Sequence, residues 1–188
     1  AQVIAEKSRD KARFVVAIAG APGSGKSTLA KALAAELDQA TVLPMDGFHR
    51  DNEELIALGR LNRKGAPDTF DAEGFVELVR RLQQSKSLTY PTFDRALDKT
   101  VPDGGSLQSE TRIVLVEGNY LLLDIPPWTA VRDLFDMTVW LDEDRETLKA
   151  RLVQRWRDQG FSEAEALAQA LANDMKNAEV AIEHSRSP

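Results

Sequence analysis

The chain alternates between short, wholly apolar runs and longer stretches in which apolar residues recur every three or four positions. Phe14-Val15-Val16-Ala17-Ile18-Ala19 and Ile113-Val114-Leu115-Val116 are short and rich in β-branched residues, so they read as strands buried on both faces. Thr41–Met45 and Met137–Leu141 give two further strands. Leu29, Leu33, Ala34 and Leu37 mark a helix over Lys26–Leu37, and Phe75, Leu78, Val79 and Leu82 mark another. Asp144–Arg157 reads as a helix that is broken by Gly160. Ser162–Ile182 is alanine-rich and opens on Ser162-Glu163-Ala164-Glu165, the pattern of a capping box. Asp51–Leu58 predicts a short helix, whereas Gly59–Phe70 and Pro91–Gly105 predict irregular chain on their Gly and Pro content.

Apolar strands alternating with amphipathic helices imply a three-layer α/β/α sandwich with a mainly parallel sheet and right-handed crossovers. No repeat or linker divides the 188 residues, so residues 1–188 are expected to form one domain. Composition adds mainly exclusions. The absence of cysteine removes thiol chemistry and Cys-ligated zinc, and two histidines leave little for a multi-histidine metal site. A net charge of −6 weighs against a nucleic-acid partner. No apolar run approaches the ~20 residues of a membrane helix, and Ala1–Phe14 carries no apolar signal core. The expected setting is the cytoplasm, with no membrane partner.

The chemistry enters between the first strand and the first long helix. Gly20-Ala21-Pro22-Gly23-Ser24-Gly25-Lys26-Ser27 fits G-x-x-x-x-G-K-[ST] at every fixed position. Small residues let backbone N–H groups turn inward around phosphate oxygens, and the following helix aims its positive end at them. Lys26 is expected to reach the β- and γ-phosphates of ATP, and the Ser27 hydroxyl to ligate Mg²⁺; Thr28 completes the nucleotide-binding set. No N-K-x-D guanine-reading motif or L-S-G-G-Q transporter signature occurs. Asp71-Ala72-Glu73-Gly74 fits D-x-x-G by letter but opens a helix. What remains favours a small-molecule kinase.

In a parallel sheet, ligand sites lie beyond the carboxyl ends of the strands. The phosphate loop, Asp46 after the second strand and Glu117 after Val116 should therefore converge. Asp46 is the candidate general base toward an acceptor hydroxyl, although Asp46-Gly47 is also a common turn pair. Glu117 is the candidate Mg²⁺ partner. Asp142 reads as the approach to a helix N-terminus.

With these residues in view, the chain resembles the superfamily of phosphoribulokinase, uridine kinase and bacterial pantothenate kinase. The segments that carry the resemblance are Pro44-Met45-Asp46-Gly47-Phe48-His49, Lys64-Gly65-Ala66-Pro67-Asp68-Thr69-Phe70-Asp71, Tyr90-Pro91-Thr92-Phe93-Asp94-Arg95 and Val116-Glu117-Gly118-Asn119-Tyr120. It implies a catalytic role for Asp46 and a place for Glu117 near metal and substrate. It also implies a mobile helical lid at about 151–162, whose Arg151 and Arg155, and less so Arg157, would neutralise the transferring phosphoryl.

The acceptor pocket implied by the resemblance comprises His49, Arg63, Lys64, Asp94, Arg95, Asn119 and Tyr120. Gly65 and Asp98 stand where uridine kinases carry an acidic residue and a histidine, which argues against a nucleoside acceptor. The closest likeness is to a bacterial branch labelled as sugar kinases of fructose transport. A pantothenate- or nucleoside-type acceptor stays open, as does a regulatory ATP-binding module acting on a protein partner. The tryptophans Trp128, Trp140 and Trp156 are expected to pack rather than stack on a base. Whether the chain forms a homodimer is also open.

Overall fold

The computed structural model describes residues 1–186. In chain order the elements are α1 (Gln2–Lys7), β1 (Phe14–Gly20), α2 (Lys26–Glu36), β2 (Ala40–Pro44), α3 (Asn52–Ala57), α4 (Ala72–Leu82), β3 (Leu88–Asp94), β4 (Lys99–Leu107), β5 (Ile113–Gly118), β6 (Met137–Leu141), α5 (Arg145–Asp158), α6 (Glu163–Gln169) and α7 (Met175–His184). The main sheet is fully parallel in the order β2-β5-β1-β6. All seven residues of β1 are buried. Successive side chains on a strand point to opposite faces: Val15, Ala17 and Ala19 pack with Phe75, Val79 and Leu82 of α4, while Val16 and Ile18 pack with Leu29, Ala30 and Leu33 of α2. A third cluster, Leu148, Leu152, Ala166, Ala170 and Ala178 among others, joins α5, α6 and α7.

Of the two acids expected beyond the strands, Asp46 follows β2, whereas Glu117 lies within β5, one residue from its end. β2 ends one residue earlier than its apolar run suggested, because Met45–Phe48 winds into a 3₁₀ turn that carries Asp46. Gly47 belongs to that turn for a packing reason: a Cβ there would lie 1.9 Å from the Pro91 carbonyl oxygen. Gly25 caps α2 with φ +97°, a left-handed conformation that favours glycine. Asp144 caps α5 by accepting from the Thr147 N–H at 2.9 Å. Asp71 caps α4 in the same way, so Asp71–Gly74 is a helix start as read.

Pro91–Gly105 corrects the sequence reading. It lies within an antiparallel hairpin of β3 and β4, outside the main sheet. Its glycines are there to make room across the hairpin. A Cβ on Gly105 would stand 2.3 Å from the Tyr90 ring, and one on Gly104 would stand 1.9 Å from Thr92 Oγ1. Pro91, which has no N–H to give the ladder, sits where the register shifts between Tyr90 and Thr92.

The alanine-rich helix also differs. Its capping box forms, but residues Ala170–Asp174 widen into a π-turn between α6 and α7. The amino-terminal α1, for which the pattern gave no helix, buries Ile4 beside α2 and the sheet.

Candidate active site

A cleft of about 1200 Å³ opens at the carboxyl ends of β1, β2 and β5. Pro22–Thr28 form its floor, with Asp46 and Glu117 on one side and Arg151 and Arg155 on another. Gly20 and Ala21 precede the floor, at the end of β1 and in the turn that follows; Ala21 is buried. Lys26 is buried and its Nζ donates to the Ala21 carbonyl at 2.9 Å, closing the loop on itself. Burial pushes the Lys26 ammonium down to about 8, against the pull of Glu117 and Asp46. Ser27 Oγ donates to Glu117 Oε1 at 3.1 Å. Burial, then the neighbouring Asp46, raises the Glu117 carboxyl above its ordinary value, while Lys26 and Ser27 oppose the rise. A hydroxyl and a carboxylate side by side are hard oxygen donors suited to Mg²⁺ beside a triphosphate. Among the described residues no cluster of three or more His, Asp or Glu forms a metal cage by itself.

Asp46 faces the same cleft and is ion-paired with Arg95, which reaches in from the hairpin turn. His49 is fixed next to it: Nδ1 lies 2.8 Å from the Asp46 carbonyl, and the ring sits between Phe70 and Phe93 at centroid distances of 4.1 and 4.7 Å. Burial lowers its basicity. Lys64 is bound to Asn52 Oδ1 at 2.7 Å and to the Asp98 carboxylate at 2.9 Å, and lies over the Phe93 ring. Burial raises the Asp98 carboxyl, but hydrogen bonds from Asn52 and Lys64 outweigh it and hold the group below its ordinary value. Asn119 lines the cleft after Gly118.

Three residues expected in the acceptor pocket are turned elsewhere. Tyr120 is fully buried, packs edge-on to Phe70 and gives its hydroxyl to the Gly65 carbonyl at 2.7 Å. A tyrosine after a strand meets the core as readily as the cleft, and here the core takes it. Asp94 accepts from the Ala96 and Leu97 N–H groups at 2.9 and 3.0 Å, which makes it a turn cap. Arg63 gives its guanidinium to Asn177 Oδ1 at 3.1 Å, toward α7. Tyr120, with Trp128 donating to the Pro67 carbonyl at 3.2 Å, pins the loop that presents Lys64.

Of the three arginines expected in a lid, two line the cleft. Arg151 donates to the Gly23 carbonyl at 3.1 Å and pairs with Glu143 at 2.9 Å. Arg155 pairs with Asp174 at 2.9 Å. Arg157 faces outward and pairs with Glu163 at 3.1 Å. Trp128 is core and Trp140 packs against it. Trp156, expected only to pack, lines the cleft and donates to Asp174 Oδ2 at 2.6 Å.

The sequence reading named neither Asn62 nor Phe93 as site residues, and it missed Asn173, Asp174 and Asn177 on the cleft wall. Phe93 and Asp98 at least belong to segments singled out for other reasons. The asparagines of the last helix carry no spacing signal.

A solved structure from Silicibacter sp. TM1040, described only provisionally as a fructose transport system kinase, superposes with a TM-score of 0.95 at 43% identity, covering 99% of this chain and 93% of that one. A Schizosaccharomyces pombe protein, provisionally named a uridine kinase, is 36% identical over 92% of this chain and 79% of its own length. The pantothenate kinase of Psychromonas ingrahamii is 30% identical, and there the match spans 76% of this chain but only 48% of the relative. Among the described residues no helix is long and apolar enough to cross a membrane. The profile of the phosphoribulokinase / uridine kinase family matches residues 15–187, and the chain belongs to that family of ATP-dependent small-molecule kinases.

Proposed function

We propose that the protein transfers the γ-phosphoryl of ATP to a hydroxyl of a neutral, polyhydroxylated metabolite of the sugar class. The observation that carries this reading is Asp46, which lines one cleft together with the phosphate loop and Glu117. An acceptor hydroxyl beside Asp46 gives its proton to the carboxylate as its oxygen bonds to the γ-phosphorus. The bond from that phosphorus to the β,γ-bridging oxygen breaks, and ADP leaves. Lys26 and the loop amides hold the triphosphate. Ser27 and Glu117 would hold Mg²⁺, which supplies neutralisation of phosphate charge when bound. Arg151 and Arg155 bring positive charge to the same end of the cleft.

The acceptor side supports an uncharged substrate. Both of its cations already face carboxylates, Lys64 with Asp98 and Arg95 with Asp46. The remaining lining there, with His49, Asn62 and Asn119, offers neutral donors and acceptors that suit hydroxyls. The provisional name of the Silicibacter relative points the same way.

The test is ADP release with Mg-ATP across fructose and other sugars, glycerate, pantothenate and nucleosides, with Asp46→Asn as the control. Turnover on a neutral polyol that Asp46→Asn abolishes is the expected result. Turnover only on a carboxylate or nucleoside acceptor would overturn the neutral-polyol assignment.

A further inference from the structure

Ala170–Asp174 forms a π-turn between α6 and α7, and such turns gather at functional sites. Its last two side chains face the cleft and reach opposite ways. Asn173 Nδ2 donates to the Lys64 carbonyl at 2.7 Å, on the acceptor side. Asp174 is 8% exposed and takes two hydrogen bonds, from Arg155 Nη2 at 2.9 Å and from Trp156 Nε1 at 2.6 Å. The neighbouring Asn177, 3% exposed, anchors Arg63 of the acceptor loop.

A buried carboxylate with one cationic partner is costly unless its position is fixed, because removal of either member leaves a charge without compensation. Here Trp156 fixes it. The indole N–H leaves one carboxylate oxygen to aim at Arg155, and the Arg155 fork keeps further N–H groups for another acceptor. Arg155 is itself 40% exposed, so without Asp174 its long side chain would sample many rotamers over the cleft mouth. Its charge is felt at Lys26, where it lowers the ammonium further.

From this geometry we infer that Asp174 is a positioning residue for phosphoryl transfer: it holds Arg155 over the phosphate loop so that the guanidinium meets the γ-phosphate rather than solvent. The inference rests on the phosphate role of Arg155 proposed above. Asp174 acts through Arg155, with both of its carboxylate oxygens already engaged by Arg155 and Trp156. Its contribution lies in setting where the arginine charge stands before ATP arrives.

The measurement is the affinity of the intact chain for Mg-ATP and for Mg-ADP, followed by Trp156 fluorescence or calorimetry, with no acceptor present. The wild type is expected to prefer Mg-ATP. Arg155→Ala and Asp174→Asn should each lose about tenfold of that preference, as expected for a charge-assisted hydrogen bond. The double variant should lose no more than either alone. Asp174→Glu, which keeps the charge one methylene further out, should recover part of it.

A purely structural role for Asp174 would lower the melting temperature and weaken ATP and ADP alike, which would overturn the inference. Where Asp174→Asn does not fold, Asp174→Glu and Trp156→Phe carry the test, and an unchanged ATP preference in both would equally overturn it. The two levels are separable. Arg155→Ala with an intact ATP preference sinks the phosphate role of the arginine, whereas loss in Arg155→Ala alone sinks only the role of Asp174.

Discussion

The two halves of the cleft are built in opposite ways. The donor half is almost one piece of chain, Gly20–Thr28, running from the end of β1 into α2, with its key contacts at short range such as Lys26 to Ala21. The acceptor half is a meeting of five segments: the turn after β2, the loop before α4, the tip of the β3–β4 hairpin, the turn after β5 and the π-turn before α7. Backbone amides and a helix end recognise phosphate wherever the local pattern occurs. Recognition of a particular acceptor needs side chains from distant segments held at fixed separations. One half is therefore general and the other particular, and variants on either side should fail differently.

Asp46→Asn should show the largest effect, a loss of about 10³-fold in kcat, in the range for removal of a general base. Its Mg-ATP affinity should stay within a few-fold of wild type by calorimetry. A comparable loss of nucleotide affinity would place Asp46 on the donor side. Lys26→Ala should weaken Mg-ATP binding and kcat together, by about 10²-fold overall, since a buried charged contact to phosphate is lost. Lys64→Ala should raise the acceptor KM about tenfold while leaving the ATP KM unchanged, the signature of lost uniform binding on one side. Equal effects on both KM values would blur the division between the halves.

A pH experiment sharpens the donor side. Lys26 in the free protein sits near 8, so at pH 8 about half of it is neutral. A bound triphosphate favours the ammonium and raises that value. Binding at pH 8 should therefore take up about half a proton, and close to none at pH 6, which calorimetry in two buffers of different ionisation heat would measure. Affinity should fall as pH rises above 8. The smallest effect belongs to Tyr120→Phe, which leaves the Gly65 carbonyl without its donor and should cost about 1–2 kcal/mol of stability. Because Tyr120 lies in the core, the ATP KM should not move.

The difference between the halves also accounts for what could be read from the residues alone. The strands β1, β5 and β6 and the helices α2 and α4 follow from apolar period, because burial on one or both faces imposes that period locally. The phosphate loop follows from spacing. The convergence of Asp46 and Glu117 follows from strand polarity once the sheet is parallel.

The β3–β4 hairpin was illegible because Gly104 and Gly105 look like breakers. Only the opposing Tyr90 and Thr92 show that they clear space. Tyr120, Asp94 and Arg63 were assigned to the acceptor by their neighbours in sequence. The side of a segment on which a polar tip finds its partner depends on what packs there, here Gly65, the Ala96–Leu97 turn and Asn177.

The amino-acid sequence by itself determined the α/β class, the phosphate loop and the two acids at the carboxyl ends of the strands. Each of these rests on periodicity or on contacts within a few residues. Tertiary structure alone decided the ion pairs of the cleft: Arg95 with Asp46, Lys64 with Asp98, and Arg155 with Asp174. Charged side chains are long and choose partners by proximity after folding. Their pairing therefore leaves no period in the chain from which it could be read.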